Sequence, residues 1–271
     1  MGLEGDAVRK ATLLILALIL ALAVAGSAQR PAATSAQEWR TYDHDLAGTR
    51  FSPLTQITAG NVAKLEKAWT FTLPPPPGGR GGGGLLSGSE AVPLVLAGVM
   101  YLPAGNTVVA LEADTGNAIW QREIRGGPQP GAVSRRGVGY WPGDGTTPAR
   151  VFVTAGRRLL SLDARSGKPS EGFGTNGEVD MIVGFAGTPT IYKNVILVGA
   201  SVNEIPLGPP GDTRAFDAIT GRKLWEFHTV PRPAEVGHET WLDNGWENRS
   251  GTNVWAFSMT VDEGQIGRAH V

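Results

Sequence analysis

The string ALEADTGNAIW at 110–120 returns as AFDAITGRKLW at 215–225, and a weaker copy, SLDARSGKPSE, stands between them at 161–171. Each copy closes a longer unit (98–123, 149–174 and 193–227) that reads as strand, turn, strand, tight turn, strand. The turn glycines Gly116, Gly167 and Gly221 lie 51 and 54 residues apart, close to the ~40–50-residue period of propeller blades. The apolar runs lack the 3.6-residue period that helical repeats need. The expectation is an all-β chain, a β-propeller of four-stranded antiparallel blades. In each tag an acid, Asp114, Asp163 or Asp217, can accept hydrogen bonds from the turn backbone, and the glycine supplies the positive φ. Four residues after the glycine, Trp120 and Trp225 return on the next strand. There each would pack between neighbouring sheets and bury ~150–250 Å². In the middle copy Glu171 takes the tryptophan position, so that blade must fasten differently. Trp69, in KLEKAWTF, is expected to end an incomplete first blade.

Composition narrows the function classes. The 24 Lys+Arg nearly balance the 25 Asp+Glu, and 41% of residues are hydrophobic, so neither a disordered tail nor a nucleic-acid binder is expected. Arg9 and Lys10 precede an apolar run at 11–25, followed by Gly26, Ser27 and Ala28, which predicts a secretory signal over 1–28 and a periplasmic location. The run of fifteen is short for a membrane span of ~20 residues. The absence of cysteine excludes disulfides, thiolate zinc sites and a lipidated cysteine within the chain. The stretch 73–88, LPPPPGGRGGGGLLSG, reads as a flexible loop. Its formal G-x-G-x-x-G (Gly79, Gly81, Gly84) precedes no helical pattern, so it is not read as a dinucleotide site. His238-Glu239 lacks the second histidine of H-E-x-x-H. The last residues, QIGRAHV at 265–271, back-translate into a run resembling a sequencing-library adapter and are expected to be non-native. That leaves 29–264 as part of a propeller.

Several stretches together, EWRTYDHDLAGTRFSPLTQITAGNVAKLEKAWTF (38–71), RRGVGYWPGDG (135–145), GTNVW (251–255) and the tags, resemble the pyrroloquinoline quinone (PQQ)-dependent alcohol and glucose dehydrogenases. The resemblance runs over about 38–263 and implies an eight-bladed propeller with PQQ and Ca²⁺ or Mg²⁺ on its axis. It further implies oxidation of an alcohol, polyol or aldose and delivery of electrons to a cytochrome or membrane quinone. Among cofactor contacts it implies Glu90 at the polar edge, Arg136 on a PQQ carboxylate, and Ser201 as a hydrogen-bonding partner. One of Trp241 and Trp246 would form a stacking floor. Glu204 and Asn253 would hold the metal, hard oxygen donors of the kind such a cation prefers, although an alignment shifted by one would put Asn203 in place of Glu204.

Departures limit the resemblance. The adjacent cysteines common in alcohol-oxidising relatives are replaced by PQPGAVSRRG at 128–137, and Ala132 stands near the place of a histidine found in the glucose-oxidising type. The family's catalytic aspartate and its basic partner lie downstream of GTNVW, so no residue of this chain is assigned as catalytic and no turnover is expected. The competing reading is a non-catalytic propeller that serves as a protein-binding scaffold. Such a scaffold would not need Arg136, Glu204 and Asn253 to converge.

Overall fold

The computed structural model describes residues 38–72, 90–126, 132–255 and 257–262, with the backbone of 269–270. The expected signal (1–28) and the Pro/Gly loop (73–88) lie outside the described residues, as does all of the expected tail except that backbone pair. Among the described residues no helix is long and apolar enough to cross a membrane.

Three four-stranded antiparallel sheets follow one another along the chain, each a simple meander. The first comprises β1 (Leu94–Leu96), β2 (Val99–Ala104), β3 (Thr107–Glu112) and β4 (Ala118–Glu123). The second comprises β5 (Gly139–Trp141), β6 (Arg150–Ala155), β7 (Arg158–Asp163) and β8 (Glu178–Asp180). The third comprises β9 (Thr190–Tyr192), β10 (Val195–Val198), β11 (Thr213–Asp217) and β12 (Lys223–Phe227). A short ribbon joins β13 (Thr260–Val261) to β14 (Ala269–His270). The sheets are propeller blades, as expected; the first and third sequence units hold the three strands expected of them, whereas the last strand of the second, β8, lies beyond residue 174.

The burial pattern follows from stacking. One core, with Val108, Trp120, Val151 and Leu162, lies between the first and second sheets, and another, with Trp141, Phe152, Phe173, Ile196 and Phe216, between the second and third. The second sheet is thus covered on both faces. Its strand β6 is buried along its whole length, where a strand with one wet face would alternate.

The tags fasten these sheets by a repeated contact. Trp69 lies on Gly116 and Trp120 on Gly167: a Cβ added at either glycine would come within 2.5 Å of the indole. Both glycines have positive φ, 73° and 67°, so only glycine gives the turn its shape and the ring its seat. The indole N–H then donates to a carbonyl of the same turn, Trp69 to Ala113 O (3.1 Å) and Trp120 to Ala164 O (2.9 Å). The Tyr101 hydroxyl donates to that same Ala164 oxygen, and burial pushes its phenol up to about 12. Trp120 and Trp225 occupy equivalent registers, opposite Ala110 and Ala215, each beside a bulge.

The third contact divides the work of a tryptophan between two residues. Phe173 supplies the ring against Gly221. Arg150, 4% exposed, supplies the donor, reaching Ala218 O at 2.9 Å, Ile219 O at 2.6 Å and Glu171 O at 2.9 Å. Burial holds its guanidinium below the usual arginine value.

Two expectations are corrected. In the first tag the acid in the register of Asp163 and Asp217 is Glu112, two residues before Asp114. Glu112 Oε2 accepts from Thr115 Oγ1 at 2.7 Å, and Gly116 N–H donates to Glu112 O. Asp163 and Asp217 fill this same register and accept from Ser166 N (2.8 Å) and Thr220 N (2.7 Å). Trp225 is 45% exposed rather than buried between sheets, since no four-stranded sheet follows β12 among the described residues.

Replacing Arg150 by Met should lower unfolding stability by about 2–3 kcal/mol, the cost of leaving buried carbonyls without a charged donor. Phe173→Ala should cost about 3–5 kcal/mol through the cavity it opens. Urea denaturation of each variant measures both.

Candidate functional site

Glu90 and Arg136 precede the inner strands β1 and β5 of their sheets. Short bonds stitch these leading segments together. Val92 N–H donates to Arg136 O (2.9 Å), Ser134 Oγ to Ala186 O (2.7 Å), and Ala186 N–H to Ser201 Oγ (3.1 Å). Ser134 Oγ also accepts from Arg136 N–H at 3.3 Å. Three residues expected from sequence to touch one ligand are thereby tied to neighbouring positions.

The Arg136 guanidinium lies 2.7 Å from Glu90 Oε2, and Arg135 approaches the other carboxylate oxygen at 3.5 Å. The ring of Phe257 stacks on Arg136, its centroid 3.4 Å from Cζ. The Arg136 side chain remains a quarter exposed, so the fork is held from two sides and open to solvent on another.

Asn253 lies on the segment after the last blade, beside Val254, whose carbonyl accepts from Ala200 N–H at 2.9 Å. Asn253 forms a bridge with Gly211, whose missing Cβ would otherwise sit 2.3 Å from the asparagine's own Cβ. Asn253 Oδ1 is buried and has no hydrogen-bond partner among the described residues. Leaving such an oxygen unmet costs about 1–3 kcal/mol, a deficit that a hard cation binding carbonyl oxygen removes. Glu204 is exposed, on a loop laced to the approach to Asn253 by Gly208 N→Asn248 O (2.9 Å) and Ser250 N→Pro206 O (3.1 Å). The loop and the asparagine segment are brought together, while Glu204 itself makes no ion pair among the described residues.

Trp241 and Trp246 are half-buried, and each carries a guanidinium over its ring, Arg249 at 5.9 Å and Arg232 at 5.8 Å. Sequence reasoning missed Ser134 and Phe257. The signal for Ser134 was local, a serine two residues before the arginine. Nothing in the sequence marked Phe257 as a partner of a residue 121 positions earlier.

Two other places could be mistaken for the site. Asp212, Glu226 and His228 offer ligand atoms within 4.8 Å of one another. The buried Arg214 already lies among them, 2.6 Å from Glu226 Oε1 and 3.7 Å from Asp212 Oδ2, and Arg232 stands 3.9 Å from the same oxygen. Those guanidiniums supply the positive charge a metal ion would bring. Desolvation is the largest influence on Glu226 and raises its pKa, but Lys223 and Arg214 together outweigh it and hold the carboxyl below its ordinary value. A cavity of about 1020 Å³ lies at the other ends of the inner strands, lined by Leu96, Trp141, Ile191 and the segment around His44. None of the expected cofactor contacts lines it.

Successive four-stranded meanders joined by ring-on-glycine contacts define a chain of the β-propeller class. The chain belongs to the PQQ family described as the glucose/ethanol/alcohol dehydrogenase beta-propeller domain, which matches residues 39–266. It is 32% identical over 257 residues to the quinohemoprotein alcohol dehydrogenase of Comamonas testosteroni, covering 88% of this chain and 34% of that protein. It is 29% identical over 246 residues to subunit 1 of methanol dehydrogenase [cytochrome c] from Methylobacterium organophilum, covering 81% and 37%. The crystal structure of the Comamonas testosteroni enzyme superposes with a TM-score of 0.63 at 28% identity, over 87% of this chain and 35% of that one. The chain thus spans about a third of the length of these relatives.

Glu226 gives a pH test. Its folded pKa lies below the ordinary 4.5, so its contribution is complete above that value and lost as pH falls through the folded one. Thermal midpoints measured from pH 7 to 3 should fall less steeply below pH 4.5 in Glu226→Gln than in wild type.

Proposed function

We propose that this chain forms part of the cofactor site of a periplasmic PQQ-dependent dehydrogenase. The whole enzyme would oxidise alcohols, polyols or aldose sugars and pass electrons to a cytochrome or membrane quinone. The observation that carries the reading is the orphaned Asn253 Oδ1, because it falls on an asparagine that the family resemblance assigns to the metal.

The residues present suit that group. Arg136 offers a planar fork for a carboxylate, a fit that a lysine point charge does not reproduce. Glu90 orients the fork and Ser201 adds a hydrogen-bonding hydroxyl. Asn253 contributes a neutral oxygen and Glu204 a charged one to Ca²⁺ or Mg²⁺. Trp241 or Trp246 offers an apolar face to the rings. When bound, PQQ supplies an electrophilic quinone that accepts a hydride, and the metal acts as a Lewis acid on it. The part of the chain's own residues is to bind and orient.

Titrating the chain with PQQ in the presence of Ca²⁺ should quench tryptophan fluorescence saturably. Arg136→Ala should raise the Kd by about 10–100-fold, the value of a lost charge-assisted pair. Asn253→Ala should raise the Ca²⁺ concentration needed by about tenfold. Wild type that shows no saturable quenching would remove the proposal.

A further inference from the structure

We infer that Phe257 is a positioning residue for Arg136, its ring fixing the plane in which the guanidinium meets a ligand carboxylate. The inference rests on the reading that the site takes PQQ. A Cζ-to-centroid distance of 3.4 Å is face-to-face contact, and a ring face attracts a guanidinium both as a cation and as a plane. An arginine held only by Glu90 could still swing about that ion pair. The ring removes this freedom, so the fork loses little entropy when a carboxylate arrives.

The ring is itself fixed by contacts that do not involve the ligand. Phe257 O accepts from Thr188 N–H at 2.7 Å, and the next residues are tied down as well, Ser258 Oγ to Asp43 and Met259 N–H to Thr190 Oγ1 at 2.9 Å. Thr188 and Thr190 attach the segment to the lead into β9 and its first residue, and Asp43 attaches it to the N-terminal segment. Four residues earlier the same segment carries Asn253. One stretch of chain therefore presents the amide oxygen to the metal and backs the arginine that meets the anion.

The test compares PQQ with its trimethyl ester, which keeps the rings and loses the carboxylate charges, in wild type, Phe257→Leu and Phe257→Trp. Phe257→Leu should raise the Kd for PQQ by roughly 3–30-fold, the range of a guanidinium–ring contact, and leave the Kd for the ester unchanged. Phe257→Trp should restore PQQ binding. Equal losses for both ligands would mean that the ring only supports the fold, and unchanged PQQ binding in Phe257→Leu would also overturn the inference while leaving the cofactor reading intact. If wild type binds neither ligand, the cofactor reading falls and this inference with it. Should Phe257→Leu not unfold cooperatively, side-chain ¹⁵N NMR of wild type decides. The guanidinium resonance that disappears in Arg136→Lys should be shifted upfield by the ring, and an unshifted resonance refutes the stack.

Discussion

An aromatic ring laid on a glycine of the next sheet sets the geometry of this protein. Trp120 can reach Gly167 because no Cβ stands in the way, and its N–H can reach Ala164 O because the turn closes through positive φ. Trp69 makes the same pair of contacts with Gly116 and Ala113 O. Ring and donor together fix both the spacing and the tilt between neighbours, so repeating them repeats the same step from sheet to sheet. At the third interface the acceptor survives while the tryptophan is absent. Arg150 fills the role of the indole N–H at Ala218 O, and Phe173 fills the role of the ring. Burying a guanidinium is costly, and the cost shows in its lowered pKa. Three carbonyl acceptors offset it.

The candidate site inherits its precision from that repeat. Arg136 precedes β5, and Ala186, which links Ser134 to Ser201, precedes β9. The leading segments of neighbouring sheets run close enough for single hydrogen bonds to span them. Binding groups placed there sit on a rigid scaffold although the segments are loops. This is the usual reason that a repeat fold hosts chemistry at the ends of its strands.

Much of this was legible in the sequence. Glycine spacing and the returning tryptophans identified the blades, while the bonded array of Glu90, Arg136 and Ser201 is a geometric finding that assigns none of them a ligand. The slip at Asp114 has a clear cause. The Asp-Thr-Gly of the first tag looks like the motif's anchor, yet the capping position lies two residues earlier, where a longer glutamate reaches Thr115 Oγ1. The share of the work taken by Arg150, Phe173 and Phe257 was not legible. Each acts on a residue far along the chain, Phe173 on Gly221 and Phe257 on Arg136, and no local pattern records a partner brought near only by the stacking of sheets. Exposure of Trp225 was hidden for a related reason. A tag specifies the ring, while burial depends on the sheet that covers it.

Among the described residues four buried oxygens lack hydrogen-bond partners, Glu38 Oε2, Thr188 Oγ1, Asp212 Oδ2 and Asn253 Oδ1, and the last two show how charge separates a structural pair from a candidate ligand position. Asp212 Oδ2 is charged, but Arg214 and Arg232 stand within 4 Å of it, so its field is answered even without hydrogen-bond geometry. A metal ion entering there would meet guanidiniums already in place, and the repulsion would exceed what one more carboxylate contact returns. Asn253 Oδ1 is neutral and needs no counter-ion to be tolerated. What it lacks is a donor or a cation, and the packing of Gly211 against the asparagine holds it in place. The proposed cation site rests on that difference: a neutral carbonyl oxygen can add to a hard cation's shell, whereas the Asp212 carboxylate is already answered by two guanidiniums.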